Sequence, residues 1–156
     1  MARARKIPGI GSDATFANAA AAAVEVRSQE VFSFADGVLD TSDPERVHDM
    51  RVATRRLRAV LEVFAVCFPN AEHRALLREV KLLADALGER RDPDVQIIAL
   101  EQLEAELGNG ERGGVNGLVA SIRARQEHGN EVVREAIERA REMRLEERLA
   151  DLAARS

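Results

Sequence analysis

The chain has 156 residues, 46% hydrophobic and 32% charged, with five Phe and neither Trp nor Tyr. That is enough chain to bury one sizeable core, and so few aromatics beside 26 Ala, 18 Glu and 21 Arg argue against the strands of a sandwich or barrel. The formal net charge of −4 argues against a general nucleic-acid binder, yet the cations are 21 Arg and only two Lys, a choice that solubility does not require.

In chain order, the basic stretch from Met1 to Gly11 has no apolar core of signal-peptide type behind it and reads as a flexible tail. Residues 12–156 read as a single helical bundle. Ser12 and Asp13 precede an Ala-rich run, the start of a first helix with Phe16, Ala20, Ala23, Val24, Val31 and Phe34 on its core side. It is expected to end near Asp36 and Gly37. Asp43-Pro44-Glu45 is a strong start signal for a second helix, which Pro69 should stop after about Phe68. Asn70 is placed to cap a third helix over about 71–87, closed by Gly88, and Asp92-Pro93-Asp94 to open a fourth over about 93–107. Four glycines in residues 108–114 suggest a flexible connector before a long last helix over about 116–154, with Gly129 as a bend. Arginines and acids are nearly balanced along that helix, as in the pair Glu135 and Arg139, the pattern of a solvated face. The expected fold is an all-α antiparallel bundle of four to five helices.

The second helix is the most informative. At 100° per residue, Val47, Met50, Thr54, Leu57, Leu61, Phe64 and Phe68 share one core face. Beside it, His48, Arg51, Arg55 and Arg58 follow at steps of three, four and three, a stripe about 15 Å long. Like charges at this spacing repel, so an anion should offset them, and within the helix Asp49 lies off the stripe and Glu62 at its far end. The third helix repeats the design, with Leu76, Val80, Leu83 and Leu87 inward and Arg74, Arg78 and Lys81 along the flank. Residues 46–91 hold ten cations against six acids, so the net negative charge averages a basic segment with an acidic remainder. Two rows on an antiparallel hairpin can line one groove, and Glu89-Arg90-Arg91 was placed to close toward it. Arginine suits phosphate there, because its planar fork gives bidentate hydrogen bonds and stays charged.

The segment Asp43-Pro44-Glu45-Arg46-Val47-His48-Asp49-Met50-Arg51-Val52-Ala53-Thr54-Arg55-Arg56-Leu57-Arg58, followed by Leu87-Gly88-Glu89-Arg90-Arg91-Asp92-Pro93-Asp94-Val95, resembles a CHAD domain, the conserved histidine α-helical domain. The resemblance implies a non-catalytic helical domain whose basic surface binds inorganic polyphosphate, often beside polyphosphate granules or polyphosphate-metabolism proteins. Carried over by motif position, His48, Arg51, Arg55, Arg58, Lys81 and Arg91 contact phosphate, with Arg74 and Arg78 added from spacing alone. Asp92 and Asp94 match the motif too, but read better as a cap and a first-turn acid. The full family pattern resembles two related bundles around a basic channel, of which this chain looks like the N-terminal half. A homodimer rebuilding the two-half arrangement is one expectation that follows.

Rival readings are a helical binder of nucleic-acid backbones, a protein–protein adaptor acting through the last helix, and a histidine-based metal site. No aromatics are interleaved to stack bases, no specific DNA site is expected, and no carboxylate or cysteine is seen to complete a ligand spacing around His48, His73 or His128. No phosphate-binding loop with its lysine is present, so neither a cofactor nor catalysis is expected. The single Cys67 forms no intramolecular disulfide and no apolar run approaches the roughly 18 residues of a membrane span, so a cytoplasmic setting is expected.

Overall fold

A computed structural model describes residues 3–107 and 112–155. They form five α-helices, α1 (Phe16–Ser33), α2 (Pro44–Val63), α3 (Asn70–Glu106), α4 (Arg112–Glu142) and α5 (Leu145–Ala153), with a short 3₁₀ turn at Ala65–Cys67. No strand occurs among the described residues. Residues 108–111 of the glycine-rich stretch lie outside them, and Arg112–Gly114 already belong to α4.

The helices α1 to α4 run antiparallel in succession. The Phe16 ring at the start of α1 meets Phe64 just beyond α2, centroids 4.7 Å apart. The buried His73 near the start of α3 donates from Nε2 to the Leu61 carbonyl near the end of α2, at 2.7 Å. Arg123 near the start of α4 reaches Glu101 near the end of α3, at 2.8 Å. The core runs from Ala20 and Val24 through Met50, Leu57 and Leu61 to Leu76, Leu83 and Leu87, and is closed by Val133, Ile137, Leu149 and Leu152. The α2 face expected from periodicity is this core, with Phe64 at its edge.

Local signals explain some boundaries and mislead at others. Asp43 accepts a hydrogen bond from the Glu45 amide at 3.1 Å and Pro44 occupies the first turn, as expected of this start signal. The first helix begins later than Asp13, because Thr15 is the cap, its Oγ1 accepting from the Asn18 amide at 3.1 Å. Phe16 is 55% exposed rather than in the core. The second helix ends at Val63, and the 3₁₀ turn carries the chain on to Phe68. Asn70 is already helical, with Pro69 before it at the cap position. Arg5 is tied to α1, its carbonyl accepting from Arg27 Nη2 at 3.1 Å and its amide donating to Glu30, while Arg27 and Glu30 form a buried pair.

The largest departure is α3. Two helices were expected, broken at Gly88 and restarted at Asp92-Pro93, and the structure has one helix of 37 residues through both. Proline cannot donate to the carbonyl four residues back, so Pro93 forfeits the bond to Glu89 at a cost of about 3 kcal/mol. A buried polar network spans this point. Arg90, fully buried, donates from Nη1 to Asp94 one turn on and from Nε to Asn130 of α4 at 2.7 Å. Gln126 donates to the same Asp94 oxygen at 2.6 Å, and Asn130 donates to the Leu39 carbonyl at 2.8 Å. Arg90 and Asp94 meet only if the helix is unbroken between them, and separating buried partners costs about 3–5 kcal/mol. Asp94 is therefore a buried ion-pair partner and not a first-turn acid, and Arg90 faces α4 rather than closing a loop toward the basic rows.

Gly129, expected as a bend, lies against Arg90, where a β-carbon would sit 2.9 Å from the Arg90 Cα. The actual break in the last helix is Arg144, whose φ of 51° ends α4 and starts α5. Gly129→Ala should destabilise the protein by about 1–3 kcal/mol through backbone overpacking, in spite of alanine's better helix propensity. Gly117→Ala, at a helical glycine with nothing within 4 Å, should be neutral or stabilising; urea denaturation followed by circular dichroism compares the two.

Glu79 of α3, with 10% of its side chain exposed, accepts from Arg139 Nε at 2.7 Å and Nη2 at 3.0 Å. The Arg139 hydrogen bond, outweighing desolvation, holds the Glu79 carboxyl below its ordinary value of 4.5, helped by the charges of Arg139 and Arg78. A carboxyl lowered in the folded state stabilises above its unfolded pKa, and that contribution fades as pH falls through the folded value. Glu79→Gln should therefore lower Tm at pH 7 and flatten the loss of Tm below pH about 4.5, as thermal unfolding at pH 7 and pH 3 would show.

Candidate anion-binding groove

The antiparallel pairing of α2 and α3 sets the positions of both charged rows. Arg91 fixes one end of the register, its Nη1 donating to the Pro44 carbonyl at 3.1 Å, and His73 fixes the other. Between these ties, Arg51, Arg55 and Arg58 line one wall of an open groove of about 370 Å³. The other wall is Asp85, Glu89 and Asp92, and Ala84 and Gly88 line the space between. A β-carbon at Gly88 would lie 4.0 Å from Arg51 Nε, so this guanidinium rests at van der Waals distance over α3.

Arg51 and Arg55 enter no ion pair within 4.0 Å among the described residues. Arg58 is engaged, its Nε donating to Glu62 Oε1 at 3.0 Å, and Lys81 Nζ is 3.3 Å from the same oxygen. Glu62 is thus the internal anion at the far end of the stripe. The Arg58 hydrogen bond lowers the Glu62 carboxyl pKa against desolvation, with Lys81 adding to the effect. Glu62 stays ionised at neutral pH and holds two cations at the mouth of the groove.

The expected site residues do not all converge. Lys81 joins the groove's end through Glu62, while Arg74 and Arg78 are exposed further along the same face of α3 and do not line the groove. Arg91 is only 12% exposed and is occupied by Pro44, with Glu45 and Asp94 each 4.0 Å away. His48 is half-buried one turn before Arg51. Glu45, His48 and Asp49 bring their ligand atoms within 4.8 Å of one another, which corrects the expectation that no carboxylate stands at ligand spacing from His48. They could hold a metal ion, although three donors from a single turn fall short of the four of a closed zinc site.

The acidic wall is not among the features that the two cationic rows point to. Its signal was available: from Arg74, Arg78 and Lys81 the same steps of three and four lead on to Asp85, Gly88 and Asp92. One stripe of α3 is basic in its first half and acidic in its second.

The CHAD domain family model matches residues 22–156, and the chain belongs to that family. No curated protein and no solved structure matches the chain.

Glu62→Gln should release Arg58 and Lys81 and raise affinity for an inorganic polyanion about two- to fivefold, the equivalent of one exposed ion pair. Anisotropy titration at pH 7 measures it, and the gain should disappear in an Arg58→Gln, Lys81→Gln background.

Proposed function

We propose that this CHAD domain binds inorganic polyphosphate, without catalysis, through the groove between α2 and α3. The observation behind the proposal is the row Arg51, Arg55 and Arg58, two of whose guanidinium groups have no ion-pair partner among the described residues. Their steps of four and three residues along α2 correspond to about 6 Å and 4.5 Å. An unbranched phosphate chain lying along the helix therefore meets one planar donor fork after another. Lys81, Arg78 and Arg74 continue the cationic track along α3, and His48 extends it toward the start of α2. The family is known for polyphosphate binding, which supports the same reading. In it, Arg91 acts by fixing the helix register. A cytoplasmic setting at polyphosphate granules, among polyphosphate-metabolism proteins, belongs to the same proposal.

Long-chain polyphosphate, single-stranded DNA and duplex DNA should be titrated at two salt concentrations against wild type and an Arg51→Glu, Arg55→Glu, Arg58→Glu variant. Polyphosphate should bind tightest, weaken with salt and lose at least tenfold in the variant. Circular dichroism checks the variant's helicity, and the Gln series at the same three positions serves if charge reversal unfolds the chain. Equal affinity for DNA, or polyphosphate binding untouched in a folded variant, rejects the reading.

A further inference from the structure

The feature the proposed function leaves unused is the acidic wall. Asp85, Glu89 and Asp92 are all exposed, and they line the groove directly across from Arg51, Arg55 and Arg58. Three cations face three carboxylates, so the groove taken as a whole offers little net charge. Buried packing does not require these acids. Asp85 and Asp92 have no ion-pair partner within 4.0 Å among the described residues, and Glu89 Oε1 lies 3.8 Å from Nε2 of the exposed His128. A groove built only to attract anions would not carry them.

From this we infer that Asp85, Glu89 and Asp92 are specificity-determining residues, which keep broad polyanions such as duplex nucleic acid off the arginine row. The inference rests on the polyphosphate reading and sharpens it. Packed helix axes are about 8–10 Å apart, whereas the major groove of a duplex is by itself about 12 Å wide. A duplex laid on this surface covers both walls together and meets a charge well below that of the arginine row alone. Non-specific duplex binding depends on net phosphate neutralisation, so the carboxylates remove most of its driving force. A single unbranched phosphate chain is narrow enough to lie against the α2 wall alone. There, contact hydrogen bonds to guanidinium act at short range, while the opposing carboxylates act through water, whose high dielectric weakens them. Unpaired charge that repels the wrong ligand is a recognised route to discrimination.

Binding of long-chain polyphosphate and of a 30-base-pair duplex to wild type and to an Asp85→Asn, Glu89→Gln, Asp92→Asn variant, at two salt concentrations, tests this. Removing three repulsive charges should raise duplex affinity at least tenfold and steepen its salt dependence, while polyphosphate gains no more than about threefold. The three positions are exposed, and the single variants keep the test open if the triple variant is unstable. Equal gains for both ligands, or no gain for duplex, overturn the inference while leaving the polyphosphate reading intact. A wild-type chain that fails to bind polyphosphate overturns the parent reading, and this inference with it.

Discussion

The buried pair Arg90 and Asp94 is the constraint on which the rest of the molecule depends. It spans one turn of α3 across Pro93, where the backbone ladder is weakest, and through Gln126 and Asn130 it reaches both α4 and the loop at Leu39. Three segments distant in sequence are thereby fixed by one guanidinium and one carboxylate. Because α3 stays helical through this point, Asp85, Gly88, Glu89 and Asp92 lie on one uninterrupted surface beside α2. With a break at Gly88, as local signals suggest, the groove would have no second wall.

That dependence separates two kinds of arginine that composition cannot tell apart. Arg90 and Arg91 are adjacent, yet one is sealed between α3 and α4 and the other ties α3 to the first turn of α2. Both serve the scaffold. Arg51 and Arg55 keep their guanidinium groups at the solvent-open groove, and Arg58 shares Glu62 with Lys81. The family motif contains both kinds.

Periodicity made the α2 core face and its basic stripe legible, since both follow from angles along one regular helix. Asp43 and Pro44 worked as a start signal because the cap needs only neighbours in sequence. The longer-range features were hidden. Gly88 looks like a terminator in isolation, and its place beneath Arg51 depends on a helix more than thirty residues earlier. Asp92-Pro93-Asp94 has the chemistry of a cap, and only Arg90, Gln126 and Asn130 together show why the helix continues through it. Gly129 is similar, a glycine kept for close backbone approach rather than for bending. Asp85, Glu89 and Asp92 repeat the steps of four and three of Arg51, Arg55 and Arg58, but only the pairing of α2 with α3 puts the two rows across one groove.

The left-handed Arg144 turns the chain so that α5 packs on α1, the first helix against the last. The other main interfaces join helices that follow one another in sequence. Folding can therefore proceed by local hairpins at small loop-closure cost, until the final step, which brings together the two ends of the chain. That step makes the bundle cooperative. The α2–α3 groove thus belongs to the local hairpins, whereas closure of the bundle rests on α5, which packs on α1 from the other end of the fold.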